Sequence, residues 1–261
     1  MNVFKNWNPF VIPYYILRIL IRVFIGRKRR NRLFYMLGWG REDAWLQWLG
    51  LSSVWIYKFT VAGARRRDAQ RYFRHEPAVS NFIEKKRGDL FIDIGASLGY
   101  YSLLLHNNFK EIIAFEPHSD NVAVINGVKQ TTSEYGNIKV FETAVSDVNG
   151  HTKLFSGRHS GGHSLLDSSS LVKDGSFRIV PTITLETFLG DKIVDLIKVD
   201  VEGAEWLVLK GAELVMQNIN SWIIEVHNIT RLNEMEKLLK SYGYKTKWLD
   251  KIHIYAWRES L

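Results

Sequence analysis

Three carboxylates in this chain stand where an apolar run stops. Asp93 lies near the end of Leu90–Ile94, Glu116 follows Ile112–Phe115, and Asp200 follows Ile193–Val199. Asp93 precedes a glycine loop, Gly95-Ala96-Ser97-Leu98-Gly99, and Glu116 comes 23 residues after Asp93. A carboxylate about 20 residues beyond a glycine loop is placed for ribose hydroxyls, so the spacing points to an adenosine-containing cofactor. Around Asp200 the acids multiply: Glu202 and Glu205 follow it, and Glu225 with His227 stands at the end of the next apolar run. Carboxylates and an imidazole converging on one point can take the proton of an acceptor hydroxyl, or hold a hard divalent cation that lowers its pKa. Asp200, Glu202 and His227 are the candidates for the first role; Asp200, Glu225 and His227 are those for the second.

The elements that must position these groups read as an alternating α/β pattern. Leu90–Ile94 is a short buried strand, Gly95–Gly99 a tight loop leaving it, and Tyr100–His106 the start of a helix packed on that strand. Ile112–Phe115 is a second strand and Ile138–Thr143 a third, with Ala144–Asp147 at its carboxyl end. Ile193–Val199 is a fourth, and Trp222–Val226 a fifth. Ligands of open α/β sheets bind outside the carboxyl ends of the strands, where Asp93, Glu116 and Asp200 all fall. Residues two apart project from one side of a strand, so Glu225 and His227 can both turn toward Asp200. Glu205 opens the helix EWLVLKGAELVM, where an acid also complements the helix dipole with no chemical duty. Gly243–Trp248 and Ile252–Trp257 close the chain as an antiparallel hairpin with Asp250-Lys251 at its turn. Thr152–Phe155 and Arg178–Val180 read as an inserted hairpin around a Gly/Ser-rich loop, Ser156–Ser170, which carries His159 and His163. Long loops of this kind commonly bind or cover ligands.

The glycine loop narrows the cofactor. A dinucleotide fingerprint needs G-x-G-x-x-G because backbone must approach a pyrophosphate closely. Here the middle glycine is missing, and Asp93 at the strand end would repel a pyrophosphate. An acid there suits a ligand with a cationic end, such as the amino group of S-adenosylmethionine. A nicotinamide-dependent oxidoreductase would want a Tyr-x-x-x-Lys pair on a helix. Tyr135 and Lys139 have that spacing, but Gly136-Asn137 between them marks a turn entering a strand.

FIDIGASLGYYS (Phe91–Ser102), AFEP (Ala114–Pro117), AVSD (Ala144–Asp147) and IKVDVEGAE (Ile197–Glu205) occur in this order over well over half the chain. The set resembles the FkbM family of S-adenosylmethionine-dependent methyltransferases. The resemblance implies a Rossmann-like class I methyltransferase fold: a seven-stranded, mostly parallel sheet ending in an antiparallel hairpin. It also implies O-methylation of a hydroxyl on a sugar, a glycan or glycolipid, or a natural product. Carried onto this chain, it gives Asp93, Gly95, Ala96, Gly99 and Tyr100 to the methionine end of the cofactor and Glu116 with Pro117 to the ribose. Ala144 and Asp147 fall at the adenine, although turn chemistry with Asn149-Gly150 explains Asp147 equally well. A second alternative to the enzymatic reading is a membrane-associated protein that keeps the fold without the activity.

Composition is compatible with this. The chain has 261 residues, 46% of them hydrophobic and none of them cysteine, so it can bury a sizeable core and has no thiolate chemistry. The net charge of +8 is unevenly spread: residues 1–75 carry 15 Lys/Arg against 3 Asp/Glu, and residues 76–261 carry 20 against 24. The basic part therefore reads as an N-terminal extension (1–75), mainly helical, and the rest (76–261) as the methyltransferase domain. A mildly acidic domain argues against nucleic acid as a partner. Within the extension, residues 9–26 are strongly apolar but contain Arg18 and Arg22, and Arg27–Arg32 adds five positive charges. Each arginine costs about 2.5–3.5 kcal/mol at mid-bilayer, which argues against a spanning helix. Residues 9–32 fit an interfacial helix with a polybasic flank on an anionic membrane surface. The alternative is an amphipathic helix packed on the protein's own domain. The expectation is a cytoplasmic protein, peripheral on the inner face of a membrane if the first reading holds.

Overall fold

The computed structural model describes residues 76–130, 133–157, 164–166 and 172–259. The N-terminal extension, including 9–32, lies outside the described residues, as do His159 and His163.

The first strand and its flanking helices come directly from the sequence pattern. Pro77–Ile83 forms α1, with proline in its first turn where no amide is needed. Gly88–Ile94 is β1, Tyr100–Leu104 is α2, Phe109–Phe115 is β2, Ser119–Lys129 is α3 and Ile138–Phe141 is β3. Ala144–Val145 (β4), Gly150–Gly157 (β5) and Val172–Ile183 (β6) follow, then Leu185–Leu189 (α4) and Leu196–Val199 (β7). Glu205–Lys210 (α5), Ser221–Glu225 (β8), Leu232–Ser241 (α6), Lys245–Trp248 (β9) and His253–Trp257 (β10) complete the chain. Among the described residues, no helix is long and apolar enough to cross a membrane.

Seven strands form one sheet in the order β3-β2-β1-β7-β8-β10-β9. Every neighbour pair is parallel except those of β10, which runs antiparallel to both β8 and β9. This is the methyltransferase-like α/β fold. Both faces are buried, which is why the parallel strands read as continuous apolar runs. Ile92, Ile94, Ile197, Val199, Trp222 and Ile224 pack on one face with α4, α5 and α6. Phe91, Leu196, Ile223 and Tyr255 pack on the other with α1 and α2. On that second face the apolar layer gives way, toward the carboxyl ends, to Asp93, Lys198, Glu225 and the start of β10 at His253.

Most strands begin or end a few residues from the expected bounds, and the departures around β7 and β4 bear on the site. In the run Ile193–Val199 the continuous strand starts at Leu196, with Val194 held only by an isolated bridge to Ile219, and the Asp195 carboxylate between them accepts from the amides of Asp89 (2.6 Å) and Leu90 (2.9 Å). Ala144–Val145 does not prolong β3 but pairs with Thr182 and Ile183 in a separate sheet of order β4-β6-β5. The inserted hairpin is accordingly longer than its apolar residues suggested, since β5 and β6 pair from Gly150↔Thr182 outward.

Candidate active site

The glycine loop lies between the ends of β1, β2 and β7. The amides of Gly95 and Ala96 both donate to the Phe115 carbonyl at 3.0 Å, and the Asp200 amide donates to the Ile94 carbonyl at 3.0 Å. These bonds draw three strand ends together so closely that Gly95 has no room for a side chain: an added Cβ would lie 1.8 Å from the Asp200 carbonyl oxygen. Gly95 also sits at φ 77° and Ser97 at φ 50°, left-handed conformations that turn the loop back on itself.

Glu116 closes the other side of the loop. Its Oε2 accepts from the Ser97 amide (2.7 Å), and its Oε1 accepts from the His118 amide (2.8 Å) and Asn121 Nδ2 (3.3 Å). Burial pushes its pKa up to about 7 against the opposing pull of those hydrogen bonds. A shallow cleft opens here, with Gly95, Ser97, Glu116, Pro117, Ala144 and Asp200 on its walls. Leu154 from β5 and Leu165 from the inserted loop form an apolar part of the wall. This mixed lining suits a ligand with an apolar part and a few fixed polar groups.

Asp200 joins the cleft to a second cluster. Its Oδ1 faces His227 Nε2 at 3.8 Å, and its Oδ2 accepts from Lys198 Nζ at 3.0 Å. His227 Nε2 also meets Glu202 Oε2 at 3.2 Å and Glu225 Oε1 at 3.5 Å. On the other edge of the ring, His227 Nδ1 lies 2.7 Å from Glu205 Oε1, which also accepts from the Gly203 amide at 2.8 Å. Burial alone would lower the His227 pKa, but the hydrogen bonds to Glu202 and Glu205 and the surrounding carboxylates raise it to about 11. The ring is therefore an imidazolium and no general base at neutral pH. Glu202 holds φ 52°, and Ser164 Oγ of the inserted loop donates to its carbonyl at 2.8 Å. Backbone strain in a residue of this kind concentrates at functional sites.

Behind this cluster lies a second one. Lys198 is 1% exposed, with Nζ 3.9 Å from Glu76 Oε2 and 4.7 Å from the Tyr101 ring centroid. Glu76 Oε2 accepts from Tyr101 Oη at 2.7 Å and lies 3.3 Å from His253 Nε2. His253 reaches Glu225 Oε2 at 3.2 Å and Asp250 at 2.9 Å, and although burial opposes it, these carboxylates raise its pKa to about 10.

The geometry thus brings together Asp200, Glu202, Glu225 and His227, and separately gathers Gly95, Glu116, Pro117 and Ala144 on the cleft wall. Asp93 lies beneath the loop: it is 2% exposed, and its Oδ2 accepts from the Ser102 amide (3.0 Å) and hydroxyl (2.7 Å). Ala96 packs with Ala114 and Ile125, Gly99 opens α2, and the Tyr100 hydroxyl lies 3.3 Å from Ser80 Oγ. Asp147 pairs with Lys210 at 2.8 Å, which holds its carboxyl below the usual range. Lys198, His253 and Glu76 were not singled out by the sequence. Only a lysine inside an apolar strand run, Ile197-Lys198-Val199, hinted at the first.

The family model for the methyltransferase FkbM domain matches residues 93–246, from the acid of β1 to the second residue of β9. The chain belongs to the FkbM methyltransferase family. It is a methyltransferase, and the family is S-adenosylmethionine-dependent. Among similar proteins, the hexuronic acid methyltransferase AglP of Haloferax volcanii is 24% identical over 207 residues, 75% of this FkbM chain and 80% of the relative. The solved methyltransferase FkbM from Methylobacillus flagellatus KT is 18% identical with a TM-score of 0.48; the alignment covers 71% of this chain and 46% of the other, so the chain spans less than half of that structure. TrmK of M. capricolum, solved with S-adenosyl-homocysteine, is 14% identical with a TM-score of 0.41, covering 72% of this chain and 71% of its own.

Proposed function

We propose that this FkbM protein transfers the methyl group of S-adenosylmethionine to a hydroxyl of a sugar, in a glycan or glycolipid. The observation that carries the reading is the position of Asp200, on the wall of the cleft and facing the His227 cluster at once. Glu116 would accept the ribose hydroxyls, Gly95 and Ser97 would supply backbone to the methionine end, and Ala144 would border the adenine. The sulfonium charge finds an acidic surrounding in Asp200 and its neighbours. As the acceptor oxygen forms its bond to the methyl carbon, the carbon–sulfur bond breaks and its electron pair stays on sulfur, leaving S-adenosylhomocysteine. The hydroxyl proton passes to the Asp200 carboxylate. Most of the rate gain in such a displacement comes from alignment, with proton removal adding the rest. The hexuronic acid named for the Haloferax relative suggests an acidic sugar as acceptor. The basic residues 9–32 would carry the enzyme to an anionic membrane surface where lipid-linked acceptors lie.

The test is labelled-methyl transfer from S-adenosylmethionine to glucuronic acid glycosides and to neutral glycosides. Transfer should yield a product stable to mild alkali, as a methyl ether is; an alkali-labile product would be a methyl ester and would move the acceptor from hydroxyl to carboxylate. Asp200→Asn should cut transfer about 100-fold or more while leaving S-adenosylhomocysteine binding in place. Undiminished transfer would take Asp200 out of the mechanism.

Cofactor affinity should also depend on pH through Glu116. With its pKa near 7, the group is an ionised acceptor above that pH and a neutral acid below it. S-adenosylhomocysteine should therefore bind roughly tenfold more weakly at pH 6 than at pH 8 by calorimetry, and Glu116→Gln should flatten the profile. A flat wild-type profile would separate Glu116 from the ribose.

A further inference from the structure

At Ser164–Leu166 the inserted hairpin returns to the cleft, and three consecutive residues meet three different parts of the molecule. Ser164 is held by its backbone and by its side chain. Its amide donates to the Phe155 carbonyl (3.3 Å) and its carbonyl accepts from the Phe155 amide (2.8 Å), an isolated antiparallel bridge to β5. Its hydroxyl is used twice: it donates to the Glu202 carbonyl at 2.8 Å and accepts from the Leu166 amide at 3.1 Å. The residue is 2% exposed, so water is poorly placed to replace either bond.

The next two residues stand on either side of that anchor. Leu165 lies on the cleft wall beside Leu154 and Ala144, and packs on the cluster of Ala144, Leu154 and Val180. Leu166 Cδ1 is 3.7 Å from where a Cβ on Gly203 would stand, so it borders the loop that follows β7. The wall thus has one contiguous apolar stretch, made by Ala144 after β3, Leu154 of β5 and Leu165. Gly95, Ser97, Glu116 and Asp200 supply polar groups elsewhere on it. An adenosine ligand divides in the same way: ribose hydroxyls and the amino-acid end need polar partners, while the base offers apolar ring faces. The far end of the Ser164 bond is also informative. Glu202 holds φ 52°, a backbone conformation that persists only where its surroundings fix it. One hydroxyl therefore ties the apolar wall to the loop that begins at Asp200.

We propose that Ser164 is a positioning residue for the cofactor: its bond to Glu202 holds Leu165 beside Leu154 and Ala144, and these three side chains form the wall on which the adenine ring packs. The inference rests on the reading of the cleft as the S-adenosylmethionine site. It adds Leu154 and Leu165 as contacts of the base, and Ser164 as the group that sets Leu165 in place.

Two probes test it on the full chain: S-adenosylhomocysteine, and 5′-methylthioadenosine, which keeps the adenosine and lacks the amino-acid end. Affinities are read by calorimetry, release rates by stopped flow, and folding by circular dichroism on the same samples. Leu165→Ala should weaken both probes by about fivefold to tenfold. Ser164→Ala should weaken both by about threefold to tenfold, mainly through faster release. Ser164→Cys, which keeps the size and weakens the donor, should lose less, and it decides the matter if the alanine variant does not fold. Ser164→Ala combined with Leu165→Ala should lose less than the product of the two single losses, because one residue acts through the other. Ile179→Ala, an exposed position on the same hairpin, should leave both affinities within about twofold.

A serine that serves folding alone would lower the melting temperature and leave the affinities of the folded protein unchanged, and that result overturns the proposal. So does a loss confined to S-adenosylhomocysteine, which would move the segment to the amino-acid end, or an equal loss in Ile179→Ala. A wild type that binds neither probe would remove the cofactor reading of the cleft itself. The expected variant pattern supports the adenine wall even where no sugar acceptor is methylated.

Discussion

Gly95→Ala is expected to cost at least about 4 kcal/mol and to abolish cofactor binding, because two independent penalties fall on one carbon atom. The first is conformational: at φ 77° an alanine pays for a left-handed backbone. That alone is worth about 1–2 kcal/mol. The second is steric and larger. The new Cβ would meet the Asp200 carbonyl oxygen at 1.8 Å; the Cβ is fixed by its own backbone and its partner is backbone, so no rotamer change relieves the overlap. Relief requires moving the β1 loop off the end of β7, which breaks the bond from the Asp200 amide to the Ile94 carbonyl and pulls Asp200 from the cleft. For a domain of this size each kcal/mol corresponds to about 2–4 °C, so the melting temperature should fall by about 10 °C or more. Gly243→Ala is the control. Gly243 has a similar φ of 84° but nothing within 4 Å of an added Cβ, so it carries the conformational penalty without the clash. Scanning calorimetry of the two variants should show a several-fold larger loss for Gly95→Ala. Equal losses would mean that the loop gives way freely and that close approach is not what glycine serves here.

The same contrast explains how far the sequence could be read. The loop was legible because glycine and acid types were needed at fixed spacings within one strand–turn–helix unit, Asp93 to Glu116. The seven-stranded sheet was legible too, since strands buried on both faces must be apolar throughout and therefore stand out as runs. What stayed hidden depended on the order of strands in space. His253 is in a closing hairpin 26 residues beyond His227, and only the insertion of β10 between β8 and β9 sets it against Glu225. Glu76 precedes α1 and meets Lys198 only because α1 packs on the face of the sheet that also carries Leu196 and Lys198. Glu205 had a sufficient local explanation at the start of α5, and nothing in a linear pattern could show that its side chain is buried against His227. Asp93 shows the opposite: its position before the loop suggested a ligand contact, and the pattern did not show that its Oδ2 accepts from the Ser102 amide and hydroxyl.

Lys198→Met should destabilise the protein by about 3 kcal/mol, near the lower end of what removing one partner of a buried ion pair costs. Lys198 is 1% exposed in the middle of the sheet, and such a charge is tolerated only with partners. It has Asp200 Oδ2 at 3.0 Å, Glu76 Oε2 at 3.9 Å and the ring of Tyr101, with Asp93 across the β1–β7 pair. These contacts hold the lysine charged, raising its pKa although burial opposes it. Methionine fills much of the same volume, so the loss is electrostatic rather than a cavity. The carboxylates left behind set the size of the effect: Asp200 and Glu76 keep 21% and 15% of their side-chain surface, and the water they reach holds the cost toward the lower bound. Lys139→Met is the comparison. Its partner Glu111 lies at 2.6 Å, closer than Asp200 lies to Lys198, yet both side chains are largely open to water. An exposed pair of that kind contributes about 0–1 kcal/mol, so distance and stabilising effect should rank in opposite orders. Urea unfolding of the two variants measures both. A Lys198→Met variant within about 1 kcal/mol of wild type would show that desolvation of the lysine cancels these attractions. The lysine would then be kept for what it does to Asp200: with Oδ2 taken, Oδ1 is the oxygen left to face His227 and the cleft.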